Sequence, residues 1–436
     1  MLFGLAVVAA LALGMVAGSF LLPAEPVSAP TTTVPSSRQG PSESLPLPST
    51  PPTTVRPRPE LRLSPRPGMA DVVEFPRIPL LDDPFCPGAL DPLQELELDQ
   101  IAEEVIARRG LAWRGGPTLQ VCSLEELVRR WDTTVEKGRN RYDLEAAWLR
   151  AVGLVDPEDD YPAAVRRWLA ENARATYDPV RKIVVVTREE VGDPRARHTV
   201  ARAVALALED QWYDLVRPDD ETRADERPLA TAALAEGAAR RGIGRPWEDR
   251  TSPVPEPDSA TEWWIRGFRI VTELGGSFFE HLVSAGGEQS VARAWRHPPT
   301  TSEQLRTPPK YEGGEDRMPV RLPPAGQPLL AEGVVGEALT EEILRTAVDG
   351  ADAERAARGW GGDWYLLWGD IEAGVCLSVA YVTDTEEDLE ELQDAFDTWA
   401  RSRDAAGARR VIREGDTLQV LACTVDPPPA GGVPEV

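Results

Sequence analysis

The stretch HTVARAVALALEDQWYDL, residues His198 to Leu215, decides how this chain folds. Val200, Val204, Leu208, Trp212 and Leu215 recur at near-helical spacing and make one apolar stripe, while Arg202, Leu206, Glu209 and Tyr213 share the other face. That spacing supports a packed helix whatever chemistry the second face carries. A zinc helix needs two histidines at i and i+4, so that both imidazoles leave one face and meet a single ion. The 3 histidines of the chain are His198, His281 and His297, none of them a turn apart. An H-E-x-x-H helix therefore cannot be written anywhere, which excludes mononuclear zinc hydrolysis by that route.

Working outward, Ala175 to Val186 reads ATYDPVRKIVVV, in which Lys182 to Thr187 is a buried strand. Downstream stand Ala235-Glu236-Gly237-Ala238, then PPTTSEQLRTPPKY from Pro298 to Tyr311, then Gly336-Glu337 and Gly359-Trp360-Gly361-Gly362-Asp363. Taken in this order, the segments resemble the motifs of extracytoplasmic gluzincin-like zinc metallopeptidases of high-GC bacteria, whose zinc helix reads HELTHALQDQHFDL. Ala207 to Leu215 fall on the second half of that helix almost residue for residue.

The resemblance, which covers Asp91 to Thr424, puts Arg202 at the first histidine, Ala203 at the general-base glutamate and Leu206 at the second histidine. Glu236 falls on the third zinc ligand, and Thr307 on the histidine of the later S-E-Q element. It thus implies a zincin-like fold whose catalytic letters have changed. The expected function is non-catalytic, with no catalytic residue, no metal and no cofactor. A binding or scaffolding module, with a protein or peptide as ligand, is the first reading.

Two other readings stay open. One is a hydrolase of another class that reuses the cleft, with Glu236, Asp210 and Asp214 as candidate acids; the other is a purely structural cell-envelope protein. No G-x-S-x-G elbow, S-x-x-K or phosphate-binding G-x-x-x-x-G-K occurs, and Gly242-x-Gly244 lacks the third glycine of a dinucleotide loop. A buried Glu236 without a metal is an unpaired charge that costs several kcal/mol or forces protonation. Arg202 is therefore expected to pair with it as a guanidinium fork. The alternative turns Arg202 to solvent and Glu236 to the backbone.

The chain holds 436 residues, 42% of them hydrophobic, enough for a sizeable core. Its formal net charge of -25 argues against nonspecific binding to nucleic acid or anionic lipid. Leu2 to Leu22 is an uncharged apolar run of 21 residues, long enough to cross a bilayer. It reads as a signal anchor, because no Lys or Arg precedes Arg38. Cleavage as a signal peptide, with Val27-Ser28-Ala29 as the tempting site, is the alternative. The folded part is then expected outside the cytoplasm, on a single-pass membrane protein, or secreted if the segment is cleaved. The membrane is thus one expected partner, and nucleic acid is not. Pro23 to Gly68 carries 13 prolines, a composition that favours polyproline II and cannot bury a core.

The expected class is α+β. Residues 1–22 are the membrane segment and 23–90 the Pro-rich linker, 91–325 a mostly helical metallopeptidase-like domain, 326–425 a small antiparallel sheet with one helix over it, and 426–436 a disordered tail. Helices are expected over 93–107, 143–152, 161–175, 223–241, 259–284, 339–347 and 386–401, with a capping box at Ser123 and Glu126 opening another. Strands are expected over 118–122, 182–187, 364–368, 375–382, 410–412 and 417–422. The acidic run Asp384 to Glu391 reads as a solvated helix start rather than a metal site. The 4 cysteines have no C-x-x-C spacing and invite disulfides in an exported protein. Cys86 with Cys122 and Cys376 with Cys423 is the preferred pairing, since each stays within one half of the chain and the second would join neighbouring strands. Two other pairings and free thiols are left open.

Overall fold

Helix α1 (Pro92–Arg109) starts on a reciprocal cap. Asp91 Oδ1 accepts from Leu93 N at 2.8 Å and Gln94 N at 3.0 Å, while Asp91 N donates to Gln94 Oε1 at 3.1 Å. This computed structural model describes residues 86, 88–115, 118–194, 196–215, 225–244, 258–326, 328–402 and 408–425. The expected membrane segment and tail lie outside them, and so does the expected linker except for residues 86 and 88–90, where Cys86 and Leu90 are buried and Gly88 N donates to the Val121 carbonyl oxygen at 3.0 Å. Among the described residues no helix is long and apolar enough to cross a membrane.

After α1 come β1 (Thr118–Cys122), α2 (Leu124–Lys137), α3 (Arg139–Val152) and α4 (Tyr161–Asn172). The Ser123 box forms as its spacing predicts, with Glu126 N donating to Ser123 Oγ at 3.2 Å and Ser123 N to Glu126 Oε2 at 2.7 Å. The hairpin β2 (Ala175–Asp178) and β3 (Ile183–Thr187) turns where Asp178 Oδ1 accepts from Val180 N and Arg181 N. Strand β1 joins β3 in parallel, giving a three-stranded sheet in the order β1-β3-β2. The crossover needed between parallel strands is supplied by α2 to α4.

Helix α5 (Arg197–Tyr213) lies between this sheet, α1 and α6 (Arg227–Ile243). Every residue from Val200 to Asp210 is buried, so the two-faced reading of the helix gives way to burial all round. The cause is that elements pack on both sides of it. Helix α7 (Ser259–Arg296) runs past the expected end and breaks at Gly286 and Gly287, whose dihedrals are not helical. It crosses α6 backbone to backbone. A Cβ on Gly237 would stand 2.1 Å from the Gly275 carbonyl oxygen, and one on Gly275 1.8 Å from that of Ala233. Neither glycine can be replaced without separating the helices.

Short helices α8 (Ser302–Arg306) and α9 (Pro308–Gly313) lead to β4 (Leu329–Gly333), α10 (Glu337–Leu344), α11 (Gly350–Ala357), β5 (Trp360–Asp370), β6 (Gly374–Thr383), α12 (Glu386–Arg401), β7 (Arg409–Glu414) and β8 (Thr417–Cys423). The strands form one antiparallel sheet in the order β4-β5-β6-β8-β7. Helix α12 covers it with Leu389, Leu392, Phe396 and Trp399, all buried, each worth about 1.5–3 kcal/mol of transfer free energy. The molecule is thus α+β. Its second sheet gains an edge strand, β4, that alternation in the sequence does not announce. Trp148 of α3 meets Tyr365 of β5 edge-on at 6.0 Å, so the helical part and this sheet share a packed boundary. Disulfides join Cys86 to Cys122 and Cys376 to Cys423, the latter pair directly opposite each other on β6 and β8.

Candidate functional site

Arg202 of α5 faces Glu236 of α6 inside the core. Its Nε donates to Glu236 Oε2 at 2.8 Å and a terminal nitrogen donates to Oε1, with both side chains buried. The guanidinium carbon also lies 5.4 Å from the ring centroid of Phe268 on α7. Burial pushes the Glu236 carboxyl above its ordinary value and Arg202 pulls it back. A group that accepts two N–H bonds from a guanidinium stays a carboxylate.

Ala203 and Leu206 are fully buried. The three helix positions aligned with the zinc motif therefore present a guanidinium, a methyl and an isobutyl group, and Glu236 is bound to the first of them. This donor set does not fit zinc, which takes nitrogen, sulfur or carboxylate ligands. Thr307 stands at the joint between α8 and α9.

The other acids of α5 and its C-cap are also matched by cations. Asp210 accepts from the Tyr177 hydroxyl at 2.5 Å and from Leu215 N at 2.6 Å, and lies 2.7 Å from Lys182 Nζ. Exposed Asp214 binds the same ammonium at 2.9 Å. Glu209 is held by Arg109, which also reaches Glu288 at 3.0 Å. Lys310 plays a similar part nearer the surface, binding Glu303 at 2.6 Å, Glu315 at 2.8 Å and Asp384 at 2.5 Å. Asp384, at the head of the acidic run, thus holds a lysine.

The later motif segments, scattered in sequence, converge on one buried joint. Asp363 accepts from Val335 N at 2.7 Å, Gly336 N at 2.8 Å and Trp360 Nε1 at 2.8 Å. Ser302 Oγ accepts from Ala338 N at 3.1 Å, and Ser302 N donates to Glu226 Oε2 at 3.1 Å. Arg306 binds Glu337 at 3.1 Å and Glu341 at 2.5 Å. Gly336 has φ 82°, and a Cβ there would stand 1.9 Å from Glu226 Oε1. Only glycine satisfies both the conformation and the space.

Glu226, at the N-terminal boundary of α6, has one oxygen, Oε1, with no hydrogen-bond partner among the described residues. Burial pushes its carboxyl up to about 8 against the Ser302 bonds, and Asp363 and Glu337 add to the rise. Asp363, also raised by burial, reaches only about 6 because three donors oppose the shift. At neutral pH Glu226 therefore keeps its proton while Asp363 is mostly ionised. Beside Glu226 opens a cavity of about 310 Å³, which Asp225, Arg227, Thr300, Asp316 and Arg317 help to line.

Ser302, Gly336 and Asp363 belong to the later motif segments. Glu226 carried no signal beyond its place before Arg227-Pro228 at a helix start. Glu236 and Glu226 are ten residues apart on α6, about 15 Å along its axis, so the cavity and the Arg202 pair are separate places. No protein-family model matches this chain, and no curated protein or solved structure matches it either.

Proposed function

We propose that this chain is a non-catalytic homologue of extracytoplasmic gluzincin-like metallopeptidases, tethered to the membrane by its N-terminal segment and acting as a binding or scaffolding module. The observation that carries this reading is the Arg202 fork on Glu236. At the place where the resemblance expects a cation held by two histidines and a glutamate, the chain supplies a cation of its own. Pairing of Asp210 and Asp214 with Lys182 supports the same reading over an acid-base hydrolase.

Zinc content of the purified full chain, measured beside cleavage of an unfolded protein substrate with and without chelator, tests it. The expected result is substoichiometric zinc and no chelator-sensitive cleavage. Stoichiometric zinc together with chelator-sensitive cleavage overturns the proposal.

A further inference from the structure

We infer that the cavity beside the start of α6 is a binding site for a small zwitterionic ligand of amino-acid or dipeptide size, with its carboxylate on an arginine and its ammonium on an aspartate. This inference is independent of the reading of the Arg202 locus, because different residues build the two places.

The size suits such a ligand. About 310 Å³ lies at the lower end of small-molecule sites, roughly 300–1,000 Å³. The lining carries both signs, Arg227 and Arg317 against Asp225 and Asp316. A simple anion would face two aspartates and a simple cation two guanidiniums. A molecule with one charge of each sign meets both.

Among the described residues both arginines keep donor capacity. Arg317 lies 5.1 Å from the Trp364 ring centroid and makes one long bond, 3.5 Å, to the Asp363 carbonyl oxygen. Arg227 lies 3.4 Å from Asp225, yet its buried Nε makes no hydrogen bond among the described residues. Glu226 supplies an independent indication. It is only 5% exposed, lines the same cavity, and among the described residues leaves Oε1 without a hydrogen-bond partner. Facing it are Ser302 of α8, Asp363 of β5 and Glu337 of α10, with Asp225 and Arg227 as chain neighbours. Burial pushes the Glu226 carboxyl up, so it opposes the guanidiniums less than an ordinary carboxylate would.

The test is a thermal-shift screen of the detergent-solubilised full chain against every proteinogenic amino acid and dialanine, followed by calorimetric titration. N-acetylated and C-amidated forms of any hit follow, since each removes one charge. At least one probe is expected to bind, and each cap should weaken it by about tenfold or more, the loss of one charge-assisted hydrogen bond. Asp316→Asn and Arg317→Gln should weaken the same probe comparably with an unchanged urea midpoint, whereas Glu226→Gln, which copies the neutral carboxyl, should retain it. A free amino acid that binds as well as dialanine places the source among single amino acids; tighter dialanine binding places it among peptides. No shift with any probe, or capped forms that bind as tightly as uncapped ones, overturns the inference.

Discussion

Arg202 and Glu236 share two parallel hydrogen bonds across the α5–α6 boundary, with Phe268 against the guanidinium. Removing only the cation leaves a buried carboxylate with nothing to neutralise it. Arg202→Met is therefore expected to destabilise the chain by about 3–5 kcal/mol, while adding Glu236→Leu to the same chain recovers most of that loss. Urea unfolding of both variants measures this. A double variant no more stable than the single one would show that the pair is not a closed unit.

Putting the missing letters back tests the resemblance directly. In Arg202→His with Leu206→His, two imidazoles stand four residues apart on α5 and Glu236 faces one of them. This double variant should take up one zinc ion that the parent does not, read by metal analysis after dialysis. A folded double variant with no more zinc than the parent counts against a zincin ancestry.

Glu226 sets a pH dependence whose sign is fixed. Its folded value of about 8 exceeds the ordinary 4.5, so the native state holds a proton that the unfolded chain releases first. The stability this contributes is complete below about pH 4.5 and falls as pH rises toward 8, by on the order of a few kcal/mol. Glu226→Gln should flatten that fall relative to the parent between those limits, as followed by urea midpoints. Parallel pH profiles would mean the carboxyl is ionised in the fold.

Lys310 gathers three carboxylates whose oxygens lie within 4.8 Å of one another. Lys310→Met should lower stability by about 1–3 kcal/mol, less than for a fully buried pair because Glu315 is half exposed. The same variant should regain stability on adding millimolar calcium, seen as a rise in melting temperature absent from the parent. A calcium-insensitive variant would show that the three acids splay apart once the ammonium goes.

The disulfides close loops of 36 and 47 residues in sequence separation. Each should contribute about 4 kcal/mol by restricting the unfolded chain. Paired Cys→Ser substitutions, Cys86 with Cys122 and Cys376 with Cys423, should lower the urea midpoint by similar amounts. A loss below about 1 kcal/mol for either pair would point to strong residual order in the unfolded state.

Local rules made much of this fold legible. The Ser123 box, the valine run of β3, the Asp178 turn and the acidic start of α12 each follow from a few adjacent residues. What escaped depends on partners far away in sequence. Strand β4 is short and reads LLAEG, and it becomes a strand because β5 offers it an edge. Burial of α5 on both sides depends on α1, which starts about a hundred residues earlier. The Arg202–Glu236 contact was suggested by motif positions, but the neutral Glu226 beneath Gly336 was not. Its environment is assembled from α8, α10 and β5, and no local pattern encodes that meeting.

Cations fastened to the chain have a thermodynamic consequence. A fold that relies on a dissociable ion gains stability in proportion to the logarithm of that ion's free concentration and loses it on dilution or chelation. Arg202 and Lys310 are present at fixed stoichiometry whatever the surroundings contain. At these two places the carboxylates are therefore neutralised without drawing on a free metal ion.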